Sequence, residues 1–192
     1  MRASAVVIAA MLLSPLVCAK AEASGRGQIL DEVRFGLYQH DTNVVGDQKE
    51  TGVDFSVEIL TRPLKILQVI GSPRFVFGAM VNSAHQTDQA YIGLIRGWQL
   101  FRGVLRPDDS IFLEGVLGGE WNDGKIDVRG TPLEQRWKSH GSHLLFRTGL
   151  DLGYRINPRW SAAISFNHIS NAGLVTPNEG MNDLGFIINR KL

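Results

Sequence analysis

Cysteine is almost missing from this 192-residue chain, and its one cysteine, Cys18, falls in the leading segment. That segment runs from Met1 and Arg2 through an apolar stretch, Ala3 to Val17, to small residues at Ala19, Ala21 and Ala23. It has the pattern of a cleaved secretory signal over residues 1–23, which leaves 24–192 as one domain. The apolar run is too short for a membrane-spanning helix. Pro15, Leu16 and Val17 also lack the small residue that precedes a lipidated cysteine. Export without cysteine excludes a disulfide-stapled scaffold, so packing or a membrane must hold the fold. An excess of one charge is missing too. Arg2, Lys20 and Glu22 leave with the signal, so 18 of 20 basic and 18 of 19 acidic residues remain, and nothing points to nucleic acid as a partner.

Helical periodicity of useful length is absent as well, while alternation with a period of two recurs along the chain. It predicts strands over about 29–40, 51–61, 73–83, 88–100, 111–119, 142–156, 158–170 and 181–191, separated by Gly, Pro, Asn and Asp clusters. In the first, Val33, Phe35 and Leu37 oppose Arg34, Gly36 and Tyr38; in the second, Val53, Phe55, Val57 and Ile59 oppose Asp54, Ser56 and Glu58. A soluble β-sandwich alternates in the same way. Two features favour a membrane. Charges of both signs, Arg34, Asp54, Glu58, Glu114, Arg147, Asp151 and Arg155, converge if the sheet closes, and the strands reach the length that crosses a bilayer at a tilt. The expected fold is therefore all-β, an eight-stranded antiparallel transmembrane β-barrel integral to the bacterial outer membrane, its interior filled by side chains. Strand parity puts the polar stretch of about 120–141 outside and the tight "RINPR" turn in the periplasm.

The seventh strand ends in an anomaly, "FNHISNAGLVTPNEGMN", residues 166–182. Trp160, Ala162, Ile164, Phe166, His168 and Ser170 share one face, which parity assigns to lipid. If Phe166 pairs with Leu184 on the return strand, His168 lies opposite Asn182. Ser170, His168 and Asn182 then interrupt two apolar rows. Polar groups facing lipid are costly unless paired, so the trio is a candidate functional site. An interfacial histidine followed by turn residues would produce the same letters.

"FNHISNAGL" followed by "PNEGMN" resembles the signature of the outer-membrane lipid A 3-O-deacylases, the PagL-type family; "GLYQHD" in the first strand and "FLEGVLGG" in the fifth agree more weakly. The resemblance implies an esterase that removes the acyl chain at the 3 position of lipid A, with His168 as general base and Ser170 as nucleophile. Asn178 and the backbone near Gly173 would stabilise the oxyanion. Where the family has a glutamate, this chain has Asn182, which could orient His168 but not carry a charge. Glu179 and Asp183 are the alternative acids, although parity turns Asp183 into the barrel. The implied partner is lipid A, or lipopolysaccharide, in the outer leaflet, and a homodimer is compatible. No cofactor and no metal is implied, with His40, His85, His140 and His143 reading as scattered loop and strand-end residues. Two other readings stay open: a non-catalytic barrel that acts through its outer loops, and a family member weakened by Asn182.

Overall fold

The computed structural model describes residues 29–192; the expected signal peptide lies outside the described residues. All eight expected strands form: β1 Leu30–Gln39, β2 Val53–Thr61, β3 Arg74–Asn82, β4 Gln89–Arg102, β5 Ser110–Asn122, β6 Leu144–Arg155, β7 Trp160–Ser170 and β8 Met181–Lys191. Each pairs antiparallel with its sequence neighbours, and β8 closes on β1, so every internal edge is consumed in a barrel. Closure follows from the alternation. Phe35, Leu37, Phe55, Leu150, Ile164 and Phe186 all turn outward and are half or more exposed, a belt that only lipid can cover.

Inside, large side chains occupy the lumen. Tyr38, Leu60, Val76, Met80, Ile95 and Ile187 pack together in one zone of the lumen. Elsewhere the lumen is ionic. Arg34, fully buried, donates to Glu114 at 2.6 Å, Glu32 at 2.7 Å and Asp151 at 3.1 Å. Arg147 donates to Glu120 and Gln89, each at 2.8 Å, and stacks on Tyr91. Such a buried guanidinium is strongly bound only while its partners remain, since removing one side of a buried pair costs about 3–5 kcal/mol. Arg155 departs from the expectation: it is exposed at the strand end, with its guanidinium 5.9 Å from the Phe112 ring, and joins no interior pair among the described residues.

Connections 40–52, 83–88, 123–143 and 171–180 gather at one rim, called here the loop end; 62–73, 103–109 and 156–159 gather at the other, the turn end. The expected outer stretch of 120–141 starts later than the letters suggest. β5 continues through Asn122, because Glu120 and Asn122 still point inward and are buried. The loops at the loop end interlock rather than project freely. Lys138 pairs with Asp41 at 3.3 Å, its backbone N–H donates to Glu50, and Gln86 donates to the Arg136 carbonyl. The 62–73 connection is longer than an ordinary inner turn and holds a short 3₁₀ helix, Lys65–Ile70.

Candidate active site

The last hairpin sets the register on which the site depends. Phe166 pairs with Leu184 and His168 with Asn182. Side chains at alternate positions, Ala163, Ser165, Asn167 and Ile169, are buried in the lumen, which leaves His168 and Ser170 on the outer wall at its loop end. Ser170 and His168 stand two residues apart on one strand face, so the imidazole can lean along the strand to the hydroxyl. His168 Nε2 lies 3.2 Å from Ser170 Oγ, and His168 Nδ1 lies 2.8 Å from Asn182 Oδ1.

The direction of these bonds can be argued from the far end of the chain of contacts. Asn182 Nδ2 meets the backbone carbonyl of Val45, an acceptor only, so that end of the amide must be the donor. Asn182 Oδ1 therefore faces the ring, and Nδ1 of His168 carries the hydrogen. Nε2 is left as the acceptor, aimed at Ser170. A serine hydroxyl hydrogen-bonded to an unprotonated imidazole nitrogen is the arrangement that general-base activation of a nucleophile requires. The 40–52 loop thus sets the tautomer of His168 from outside the hairpin, and Thr42 N–H donating to the Asn182 carbonyl at 2.6 Å pins that loop to β8. Nothing in the spacing of residues 166–182 could have revealed Val45.

Asn171 organises the 171–180 loop. Its buried amide donates to the carbonyls of His140, Val175 and Pro177, its Oδ1 accepts from Gly173 N–H at 2.9 Å, and its own N–H donates to Asn178 Oδ1 at 2.9 Å. Of the two expected oxyanion donors, the Gly173 amide is thus already engaged. Asn178 is exposed and uses its oxygen, which leaves its Nδ2 without a hydrogen bond among the described residues. Gly180 was missed in the sequence. A Cβ there would sit 2.8 Å from His168 Cε1 and 3.1 Å from the Ile169 carbonyl, so the missing side chain makes room for the ring.

The alternative acids are held elsewhere. Glu179 pairs with Lys49 and accepts from Ser139 N–H at 2.7 Å, which occupies both of its oxygens. Although burial opposes ionisation, these bonds and the neighbouring Lys138 hold its carboxyl below the usual range. Asp183 points into the lumen, accepting from Gln89 and from Asp41 N–H, as parity requires. Asn182 alone among the three touches His168.

Two histidines are not the scattered residues the sequence suggested. His40, just beyond β1, is fully buried; Nδ1 lies 2.9 Å from Asp54 and Nε2 lies 3.0 Å from Glu50. One ligand atom each from His40, Asp54 and Asp183 falls within 4.8 Å of the others, so a cluster with metal-site spacing does exist at the loop end. Its hydrogen bonding suits a different role. Burial alone would lower the His40 pKa, but the hydrogen bonds to Asp54 and Glu50 and the charge of Asp183 raise it to about 10. An imidazolium that donates from both nitrogens offers no lone pair to a metal. His140 is also buried; its Nδ1 contacts the Glu179 carbonyl at 3.2 Å, and desolvation pushes its pKa down. His85 and His143 are exposed.

Comparison with known proteins covers this hairpin as part of longer matches. The family model for lipid A 3-O-deacylase (PagL) matches residues 105–190, from the β4–β5 turn to the end of β8, and so spans the entire His168–Ser170–Asn182 arrangement. Among solved structures, the crystal structure of the outer membrane enzyme PagL superposes with a TM-score of 0.60 at 13% identity, covering 84% of this chain and 99% of that one. Neisserial surface protein A gives a TM-score of 0.50 at 11% identity, covering 88% and 100% respectively. No curated protein matched the sequence. The barrel is integral to the bacterial outer membrane.

Proposed function

We propose that this chain, whose residues 105–190 match the family model for lipid A 3-O-deacylase (PagL), hydrolyses the ester-linked acyl chain at the 3 position of lipid A. The observation that carries the reading is the Asn182–His168–Ser170 relay on the outer wall. His168 Nε2 takes the Ser170 proton as Oγ attacks the ester carbonyl. The developing oxyanion is met by the free Asn178 amide hydrogens, since the Gly173 N–H already bonds Asn171. Collapse expels the sugar 3-oxygen, which takes the proton from His168, and leaves the acyl group on Ser170. Water, deprotonated by His168, then releases the fatty acid.

Position supports the substrate class. Ser170 ends β7 on the lipid-facing wall, at the rim that parity places outward. An acyl ester of an outer-leaflet lipid can reach such a serine without leaving the bilayer. Asn182 supports a slower enzyme than a carboxylate would, because an amide fixes the ring but does not offset the charge of the imidazolium. The deciding experiment is mass spectrometry of lipid A from cells making wild type or Ser170→Ala. Loss of one 3-linked hydroxyacyl group in the wild type only is expected, and identical lipid A from both would sink the reading.

A further inference from the structure

Arg96 is a charged side chain on the apolar outer wall. Its neighbour Ile95 is buried in the lumen, so strand alternation turns Arg96 outward. Ile95 pairs with Arg74, the first residue of β3, which puts Arg96 beside the 62–73 connection, six residues short of the end of the longer β4. No carboxylate pairs with it among the described residues. Its contacts are a bond from Nη1 to the Ile70 carbonyl at 3.2 Å and stacking 5.4 Å from the Trp98 ring. The turn is shaped around it. Gly71 has φ 85°, and a Cβ there would fall 0.9 Å from Nη1. A guanidinium carries five N–H donors, so most of them are unspent.

Those donors face the foot of a groove of about 530 Å³, a size within the roughly 300–1,000 Å³ of ordinary ligand sites. The groove climbs from Ile70 and Pro73 across the outer wall, over Gly115, to Thr148 and Phe166. Gly115 faces outward between Arg96 and Leu150 and contributes no side chain, which makes it the floor. Beside the foot, Ile66 and Val69 are 90% and 94% exposed on the same turn as Lys65, the pattern of a segment resting in a headgroup layer.

An unpaired cation at the base of an apolar trough is complementary to one anionic head with an alkyl tail. We propose that the groove binds one anionic phospholipid of the periplasmic leaflet, its phosphate held by Arg96 and one acyl chain lying up the wall toward Phe166. A planar guanidinium can grip a phosphate through two parallel bonds. Lipid A does not fit the same description. The top of the groove reaches Thr148, which pairs with His168, so a lipid A headgroup at the Ser170 rim would bring acyl chain, not phosphate, down to Arg96.

The test is native mass spectrometry of the purified barrel in detergent micelles, supplied with phosphatidylglycerol or phosphatidylethanolamine. Wild type is expected to retain one phosphatidylglycerol with roughly a five- to tenfold preference over phosphatidylethanolamine. Arg96→Gln should erase that preference, and Gly115→Leu, which fills the floor, should reduce retention of both lipids; a heat-dependent shift in electrophoretic mobility verifies that each variant is folded. Equal retention of the two lipids by wild type overturns the proposal, as does a preference that survives Arg96→Gln. Complete displacement of phosphatidylglycerol by lipid A assigns the groove to lipid A chains and overturns it too. The readout is bound lipid, so its outcome is separate from whether Ser170 cleaves esters.

Discussion

Asn182 holds His168 at 2.8 Å through its amide oxygen while its amide nitrogen is held by the carbonyl of Val45, so a loop residue 137 positions away settles which nitrogen of the histidine faces Ser170. The consequence is a rate effect separable from folding. Asn182→Ala should lower kcat for deacylation by about ten- to a hundredfold, the scale on which misplacing a catalytic group acts, with smaller change in KM. Lipid A turnover by the purified protein in micelles measures it. Wild-type kcat in Asn182→Ala would remove Asn182 from the mechanism.

Glu179 offers the opposite expectation. Its carboxylate joins Lys49 of the first loop to Ser139 of the third and does not touch His168. Glu179→Gln should therefore retain most of the activity, within about threefold, since a partly exposed pair contributes roughly 0–1 kcal/mol. It should also speed proteolysis of the 171–180 loop. A loss as deep as that of Ser170→Ala would make Glu179 the acid after all.

Gly180 predicts a steric failure. Alanine places a methyl 2.8 Å from His168 Cε1, and the backbone carbonyl of Ile169 at 3.1 Å limits retreat. Gly180→Ala should cost at least tenfold in kcat while the thermal midpoint moves by only a few degrees. The larger Gly180→Val should be worse. Full activity in both would show that the ring has slack which the hairpin does not reveal.

These three residues also mark how far the sequence can be read. The barrel was legible because a strand that faces lipid on one side and a filled lumen on the other must alternate, and Phe35, Leu150 and Ile164 obey that in letters alone. The pairing of His168 with Asn182 was legible for the same reason, as a register within one hairpin. Val45 was not, because loop-to-loop contact at long separation has no period. Arg155 and the start of the 123–143 loop were misplaced where strands end, the point at which alternation stops carrying information. His40 looked like a strand-end residue because its partners, Asp54, Glu50 and Asp183, come from β2, the first loop and β8. The third loop, which reads as a free outer segment, instead supports the site: Ser139 and His140 hold Glu179 and Asn171. Replacing it with a short turn should therefore loosen the 171–180 loop that carries Asn178.

The His40 network gives the last prediction, in pH. The folded pKa of His40 is raised from 6.5 to about 10, because Asp54, Glu50 and Asp183 surround a buried imidazolium, with Asp41 and Lys138 close by. A raised folded pKa means that the native state holds its proton more tightly than the unfolded chain. Its stabilisation is complete below about pH 6.5, declines as the unfolded chain loses its proton, and is gone once pH has risen through about 10. A shift of that size corresponds to a few kcal/mol. Thermal unfolding in micelles, followed by circular dichroism, should show a midpoint that falls between pH 6.5 and 10.5. In His40→Gln the protein should start lower, because Asp54 and Glu50 lose their charged partner, and the fall should flatten. Lysines also begin to titrate near the upper pH, so the difference in slope between wild type and His40→Gln is the quantity to compare. Equal slopes would mean that the imidazolium of His40 does not couple to folding.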